Sequence, residues 1–191
     1  MKTLELTQPT TITNIPTTWT IDPTHTKAQF SVRHLVISEV VGHFEKFEGK
    51  VISPTENFSD SRIEFTLQTN SINTDIADRD THLKSADFFD VENFPTISFR
   101  STSFHQISDD KYKLVGDFTI KNVTKSIELN VTYNGTIKDP WGNTRAGFQL
   151  EGSINRLDFD LKWNALMETG SAIVGKTVKI LCNIEIVQQL Q

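Results

Sequence analysis

The stretch VKILCNIEIV, Val178 to Val187, decides the fold. Val178, Ile180, Cys182, Ile184 and Ile186 fall on one side of an extended chain, with Lys179, Asn183 and Glu185 on the other. Apolar residues recurring at every second position, rich in β-branched side chains, make a half-buried strand. The same reading disposes of the motif just before it. GSAIVGKT, Gly170 to Thr177, matches the phosphate-binding loop pattern G-x-x-x-x-G-K-[ST]. That chemistry requires a helix after the loop, whose terminal amides hold the phosphate, and here a strand follows.

Working outward, the same period-two pattern recurs along the chain. Ala28, Phe30 and Val32, continued by His34, oppose Gln29, Ser31 and Arg33, while Ile63, Phe65 and Leu67 oppose Arg62, Glu64 and Thr66. Tyr112, Leu114, Phe118 and Ile120 form another row, followed by Ile127, Leu129, Val131 and Tyr133. Ala146, Phe148, Leu150 and Ile154 share a face, as do Leu157, Phe159, Leu161 and Trp163. With segments near 42–52 and 96–104, this predicts an all-β chain of about eight strands. Turn residues at Lys121-Asn122, Asn134-Gly135 and Asp139 to Asn143 make the connections short and the neighbours antiparallel. Residues 75–89 lack alternation and predict a short helical insertion, and residues 1–18, rich in Thr and holding Pro9 and Pro16, read as a flexible lead-in to a domain over 19–191.

A chain of 191 residues is long enough for one well-buried core. Eight antiparallel strands either stack as two sheets or close into a barrel, and closure removes the exposed edges. An eight-stranded barrel holds only its own side chains or one small ligand. A membrane barrel shares the period but needs export and aromatic girdles, so the apolar face is assigned to the interior and no stable membrane insertion is expected. Nineteen Lys and Arg against 24 Asp and Glu, a net charge of −5, argue against nucleic-acid binding. Cys182 is the only cysteine, which excludes an intrachain disulfide, and no apolar run has the length of a signal peptide, so a cytoplasmic location is expected.

Thirteen Phe residues, many on the inward rows, either fill the interior or line a tunnel left open for an apolar ligand. Beside them stands DRDTHLKSADFFD, Asp78 to Asp90, in which Arg79, His82 and Lys84 offer donors for an anionic or oxygen-rich head group and Phe88 and Phe89 meet hydrocarbon. Alternatively the same charges simply fix a solvated lid. No nucleophile motif is visible, the five His are too dispersed to announce a zinc site, and no cofactor is expected. Asp22 and His25 in WTIDPTHT read as an Asx turn beside Pro23 rather than an acid–base pair.

Seven landmarks in order, WTIDPTHTKAQFSVRHL, GHFEKFEG, RDTHLKSADFFD, FPTISFRS, NRLDFDLKWN, ETG and VGKTV, resemble the YceI-like, polyisoprenoid-binding family over Trp19 to Val187. The resemblance implies a lipocalin-like closed barrel whose elongated pore takes an isoprenoid chain, with no established catalysis. It places Arg79, His82 and Lys84 on the family's charged motif and Phe88 and Phe89 on its aromatic pair. Lys84 stands where the family commonly has Arg, Asp160 where it has Gly, and Lys176 where it has an acidic or amide residue. The expected function is binding, transport or storage of a long apolar lipid. Expected ligand contacts are Phe30, Val32, His34, Phe44, Phe47 and Phe65 on the strands, Arg79, His82, Lys84, Phe88 and Phe89 at the lid, and Phe99 and Trp163. The expected partner is an isoprenoid or other long-chain lipid, and a homodimer is compatible with the sequence. An enzyme acting on such a lipid through His82 or His34, and a filled barrel serving as an interaction module, are the alternatives.

Overall fold

The computed structural model describes residues 15–166 and 173–190. The 1–18 lead-in therefore lies, for residues 1–14, outside the described residues, as does the ETG landmark. The strand segments are β1 (Thr17–Ile21), β2 (Lys27–His34), β3 (Ser38–Phe44), β4 (Phe47–Ser53), β5 (Arg62–Gln68) and β6 (Ile72–Asn73). After helix α1 (Ala77–Lys84) follow β7 (Thr96–Ser108), β8 (Lys111–Ile120), β9 (Val123–Lys138), β10 (Thr144–Asn155) and β11 (Val174–Gln188).

Pairing reduces these segments to a closed antiparallel barrel of eight strands. β1 and β2 both lie along β11, at Trp19↔Gln188 and at Ala28↔Cys182, so they are one strand broken at Asp22–Thr26. β3 and β4 are likewise one strand interrupted at Glu45 and Lys46, and β5 and β6 one strand interrupted by a 3-10 turn at Thr69–Ser71. The ring then runs through β7, β8, β9 and β10 back to β11. Among the described residues β6 has β3 as its only strand partner. The gap beyond it is covered by α1 and by the following loop, tied down where the Thr69 amide and hydroxyl donate to the carbonyls of Pro95 and Phe94. Among the described residues, no helix is long and apolar enough to cross a membrane.

Two turns of the barrel differ from the alternation pattern. Asn134-Gly135 is no hairpin turn but a bulge inside β9: Gly135 pairs with Gly147 and Tyr133 with Phe148, leaving Asn134 as the extra residue. Gly135 takes φ 118°, which glycine alone adopts without strain. The row Leu157, Phe159, Leu161, Trp163 is not a strand. Asn155 accepts a hydrogen bond from the Leu157 amide and starts a 3-10 turn over Arg156–Phe159, which ends at Asp160 in the left-handed region. Leu157 is thereby exposed while Phe159 and Leu161 are buried.

One end of the barrel is closed by its own loop. Phe58, 2% exposed in the β4–β5 connection, packs its ring 5.2 Å from Trp19 and 5.1 Å from Phe148. The Tyr112 hydroxyl donates to the Asn57 carbonyl at 2.6 Å and fixes that loop from beneath. These rings form a floor.

A charged bracket ties the seam. Asp22 accepts from the Thr24 amide at 2.8 Å, the Asx turn read from the sequence, and its other oxygen lies 3.0 Å from His25 Nδ1. Arg145 Nη1 reaches Asp22 at 2.5 Å and Glu185 at 2.6 Å, while its Nε donates to Asp139 at 2.6 Å. Asp22, His25 and Glu185 bring their ligand atoms within 4.8 Å of one another. The guanidinium already supplies the positive charge a metal ion would bring. Burial pushes the Asp22 carboxyl up, but hydrogen bonds from Thr24, His25 and Arg145 outweigh it and hold the group well below the usual range. His25 is raised, first by its bond to Asp22.

A carboxylate depressed on folding contributes stability that is present above its unfolded value of about 3.9 and is lost on acidification. A histidine raised on folding contributes stability present below about 6.5 and lost as pH rises. The melting temperature is therefore expected to be highest at roughly pH 5–6.5 and to fall steeply below about pH 4. Asp22→Asn should lower the maximum and make the acid limb shallower; identical pH profiles for the two proteins in thermal melts would exclude this role.

Candidate binding tunnel

Inside the barrel is a cavity of about 390 Å³ running from the Phe58 floor to the α1 end. Its walls are the inward rows. Phe30, Val32, Ile127, Leu150, Ile180 and Ile184 point at the barrel axis yet are only half-buried. In a filled barrel those positions would be the most enclosed. They retain accessible surface because the space beside them is empty, so the packed-barrel alternative does not describe this interior. Cys182 lies on the same wall, and burial pushes its thiol up to about 11, which leaves it an apolar lining group at neutral pH.

The mouth is built from three elements. Across the β2–β3 pair Phe30 faces Gly42, where a Cβ would sit 2.4 Å from the Phe30 ring. The missing side chain lets that ring lie flat over the neighbouring strand. From there an aromatic chain climbs outward: Phe30 to Phe44 at 5.8 Å, and Phe44 to Phe89 at 6.0 Å. The His82 ring stands edge-on to Phe88 at 5.2 Å and to Trp163 at 4.7 Å, and its Nε2 lies 2.9 Å from Asp87. Arg79 is braced by Thr74: Nε donates to the hydroxyl at 2.7 Å and Nη2 to the carbonyl at 2.6 Å. Thr74 in turn gives its hydroxyl and amide to Asp80. The polar run beside two large rings is thus a rim, with the exposed Asp78 and Asp87 on the water side and its rings on the tunnel side.

Of the expected contact residues, Phe30, Val32, His34, Phe44, Phe65 and Phe99 line the cavity from the strands, and Arg79, His82, Phe88, Phe89 and Trp163 from the mouth. Phe47 and Lys84 do not. Phe47 stacks on Phe65 at 5.6 Å, and Lys84 ends α1, its carbonyl accepting from the Val91 amide. Two contributors carried no signal in the chain. Phe58 sits in a turn-rich loop with no alternation to orient it. Arg156, 3% exposed, follows a strand that its charge would be expected to leave for solvent. It donates to the main-chain carbonyls of Gly175 (2.9 Å), Trp163 (2.9 Å), Val174 (3.2 Å) and Leu161, and so joins the 156–163 segment to the start of β11.

A closed antiparallel barrel, hollow and apolar along its axis, floored at one end and rimmed with basic and aromatic side chains at the other, defines a lipocalin-like protein. Within that class the relationship is specific. The chain belongs to the YceI-like family, whose domain matches residues 19–186. It is 36% identical over 170 residues to UPF0312 protein SA2479 of Staphylococcus aureus (strain N315), covering 88% of this chain and 96% of that one. The crystal structure of the Campylobacter jejuni YCEI protein superposes with a TM-score of 0.71 at 28% identity, over 83% of this chain and 90% of that one. A polyisoprenoid binding domain from Saccharophagus degradans, implicated in plant cell wall breakdown, shares the fold with a TM-score of 0.65 at 16% identity, over 90% and 98% of the two chains.

Proposed function

We propose that this protein binds a long-chain apolar lipid, of polyisoprenoid or isoprenoid-quinone type, in the barrel tunnel, and carries or stores it. The observation that carries the reading is the set of half-buried rows facing an empty axis, Phe30 and Val32 on one wall and Leu150 and Ile180 on others. Burying apolar groups yields about 0.8 kcal/mol per CH₂, roughly 4 kcal/mol for a five-carbon isoprene unit. Association itself costs on the order of 4–15 kcal/mol. Two to four enclosed units therefore offset that cost, and the hydrocarbon dominates affinity. Membership of the YceI-like family, with a structural neighbour described as a polyisoprenoid binding domain, supports the same ligand class.

The mouth is suited to holding rather than converting its ligand. His82 is engaged by Asp87 and wedged between Phe88 and Trp163, and the buried thiol of Cys182 is no nucleophile. Native mass spectrometry of the purified protein is expected to show an added mass that organic extraction releases as a hydrophobic molecule. Delipidated protein should take up a C₄₀ polyprenol from dispersion. Absence of both a co-purified lipid and uptake would refute the proposal.

A further inference from the structure

An apolar tunnel says nothing about the head group of its ligand, but the charges around its mouth do. Gln29, Arg33 and Glu64 belong to the outer face of their strands. The Glu64 carboxylate is 2.9 Å from Arg100 Nη2, and Arg33 stands across the strand pair from Glu39. The remaining ionisable side chains along the cavity, among the described residues, are Arg79, Arg156, His34, His82 and the neutral thiol of Cys182. None is a carboxylate, in a chain with 24 acidic residues against 19 Lys and Arg.

Among the described residues neither guanidinium makes an ion pair; the carboxylate nearest Arg79, Asp80, meets it only through the shared Thr74 hydroxyl. Arg156 donates four of its five N–H groups, all to main-chain carbonyls. Burial alone pushes its pKa down, with no neighbouring carboxylate pulling it back. It stays charged, since arginine does not release its proton in proteins. Arg79 spends Nε and one Nη2 hydrogen on Thr74, which leaves Nη1 unused, while Asp80 is occupied by the Thr74 amide and hydroxyl. The two arginines belong to one rim: Arg156 holds the Trp163 carbonyl, and the Trp163 ring packs on His82, one turn along α1 from Arg79. A buried charge without a counter-charge is unfavourable, and an oxyanion meeting a guanidinium makes its strongest hydrogen bonds.

We propose that the lipid held in this tunnel carries an oxyanion head group, a carboxylate or a phosphate, received at the mouth by Arg79 and Arg156. This rests on the lipid-binding reading above and narrows it: a neutral alcohol or quinone would bring no counter-charge to Arg156 and none to the unused Nη1 of Arg79.

Calorimetric titration of the delipidated protein with farnesyl phosphate, farnesoic acid and farnesol tests it, the hydrocarbon being the same in all three. The phosphate, the acid or both are expected to bind at least about tenfold more tightly than farnesol. The advantage should shrink severalfold in Arg79→Met and persist in Arg79→Lys, with melting temperatures confirming that both variants fold. A gain for the phosphate alone or for the acid alone identifies which oxyanion the rim selects. Farnesol binding as tightly as both anions would overturn the proposal while leaving lipid binding intact. An anion preference unchanged in Arg79→Met would overturn the assignment to this rim. If none of the three binds, and the protein neither co-purifies with a lipid nor takes up the C₄₀ polyprenol, both readings fall together.

Discussion

Replacing Arg156 with Met should lower the melting temperature by roughly 6–12 °C. The side chains are similar in length, so the change removes hydrogen bonds more than volume. Four carbonyl contacts disappear, those of Leu161, Trp163, Val174 and Gly175, of which Val174 keeps the Asn164 side-chain amide as a donor at 3.0 Å. An unsatisfied buried acceptor costs about 1–3 kcal/mol. Carbonyls with a second lone pair, and some access to water at the mouth, keep the total on the order of 3 kcal/mol. For a chain of this size each kcal/mol moves the midpoint about 2–4 °C. Arg156→Lys should recover only part of the loss, because a compact ammonium cannot span four acceptors that a planar guanidinium reaches at once. A melting curve for Arg156→Met that overlays the wild type would show that the 156–163 segment is held by other means.

Filling the tunnel should separate stability from function. Leu150 lies midway along β10, opposite Cys182 on one side and Val131 on the other, and points at empty space. Leu150→Trp places an indole across that space. Excluding even one isoprene unit forfeits roughly 4 kcal/mol of burial, so uptake of a polyprenol should weaken by at least about a hundredfold. The fold should hold or gain stability, because the added ring finds apolar walls instead of displacing packed neighbours. Overpacking of a filled core would do the reverse and cost about 1–3 kcal/mol. A destabilised Leu150→Trp that still binds lipid would mean that the cavity lies elsewhere along the axis. Uptake is measured with a fluorescent polyprenol, and stability by thermal melting of the lipid-free protein.

The barrel was legible in the chain because alternation survives interruption. Each break in β1/β2, β3/β4 and β5/β6 is a short irregular segment that resets the phase, from Trp19 and Ile21 to Ala28 and Phe30, from Phe44 to Val51 and from Leu67 to Ile72, and alternation resumes beyond it. Counting periodic runs therefore came close to the true ring of eight. Alternation failed where a polar side chain competed with the ladder. Asn155 captured the Leu157 amide, and a row with the right period became a 3-10 turn. Asn134-Gly135 failed for the opposite reason: a dipeptide suited to a tight turn is equally suited to a bulge, and only the partner Gly147 decides between them. At the mouth, the aromatic and basic character of residues 79–89 was readable because hydrocarbon and charge do not otherwise sit together. Arg156 was not, since its burial depends on four carbonyls that only the fold turns toward it, two at Leu161 and Trp163 and two at Val174 and Gly175. Phe47 shows the limit from the other side. It is aromatic and neighbours a lining residue, but it stacks on Phe65 instead of facing the hollow.

The Phe58 plug gives the barrel one door. A lipid of the proposed kind would go in tail foremost and back out the way it came, so release would begin at the polar end and the last carbons to enter would be the first to leave. Depth also becomes a gauge: a short tail leaves vacancy above the plug, whereas an overlong one must coil or stay outdoors. With Tyr112 pinning that loop through Asn57, the gauge is set by residues that never meet the rim, and its length could be altered without touching the guanidiniums.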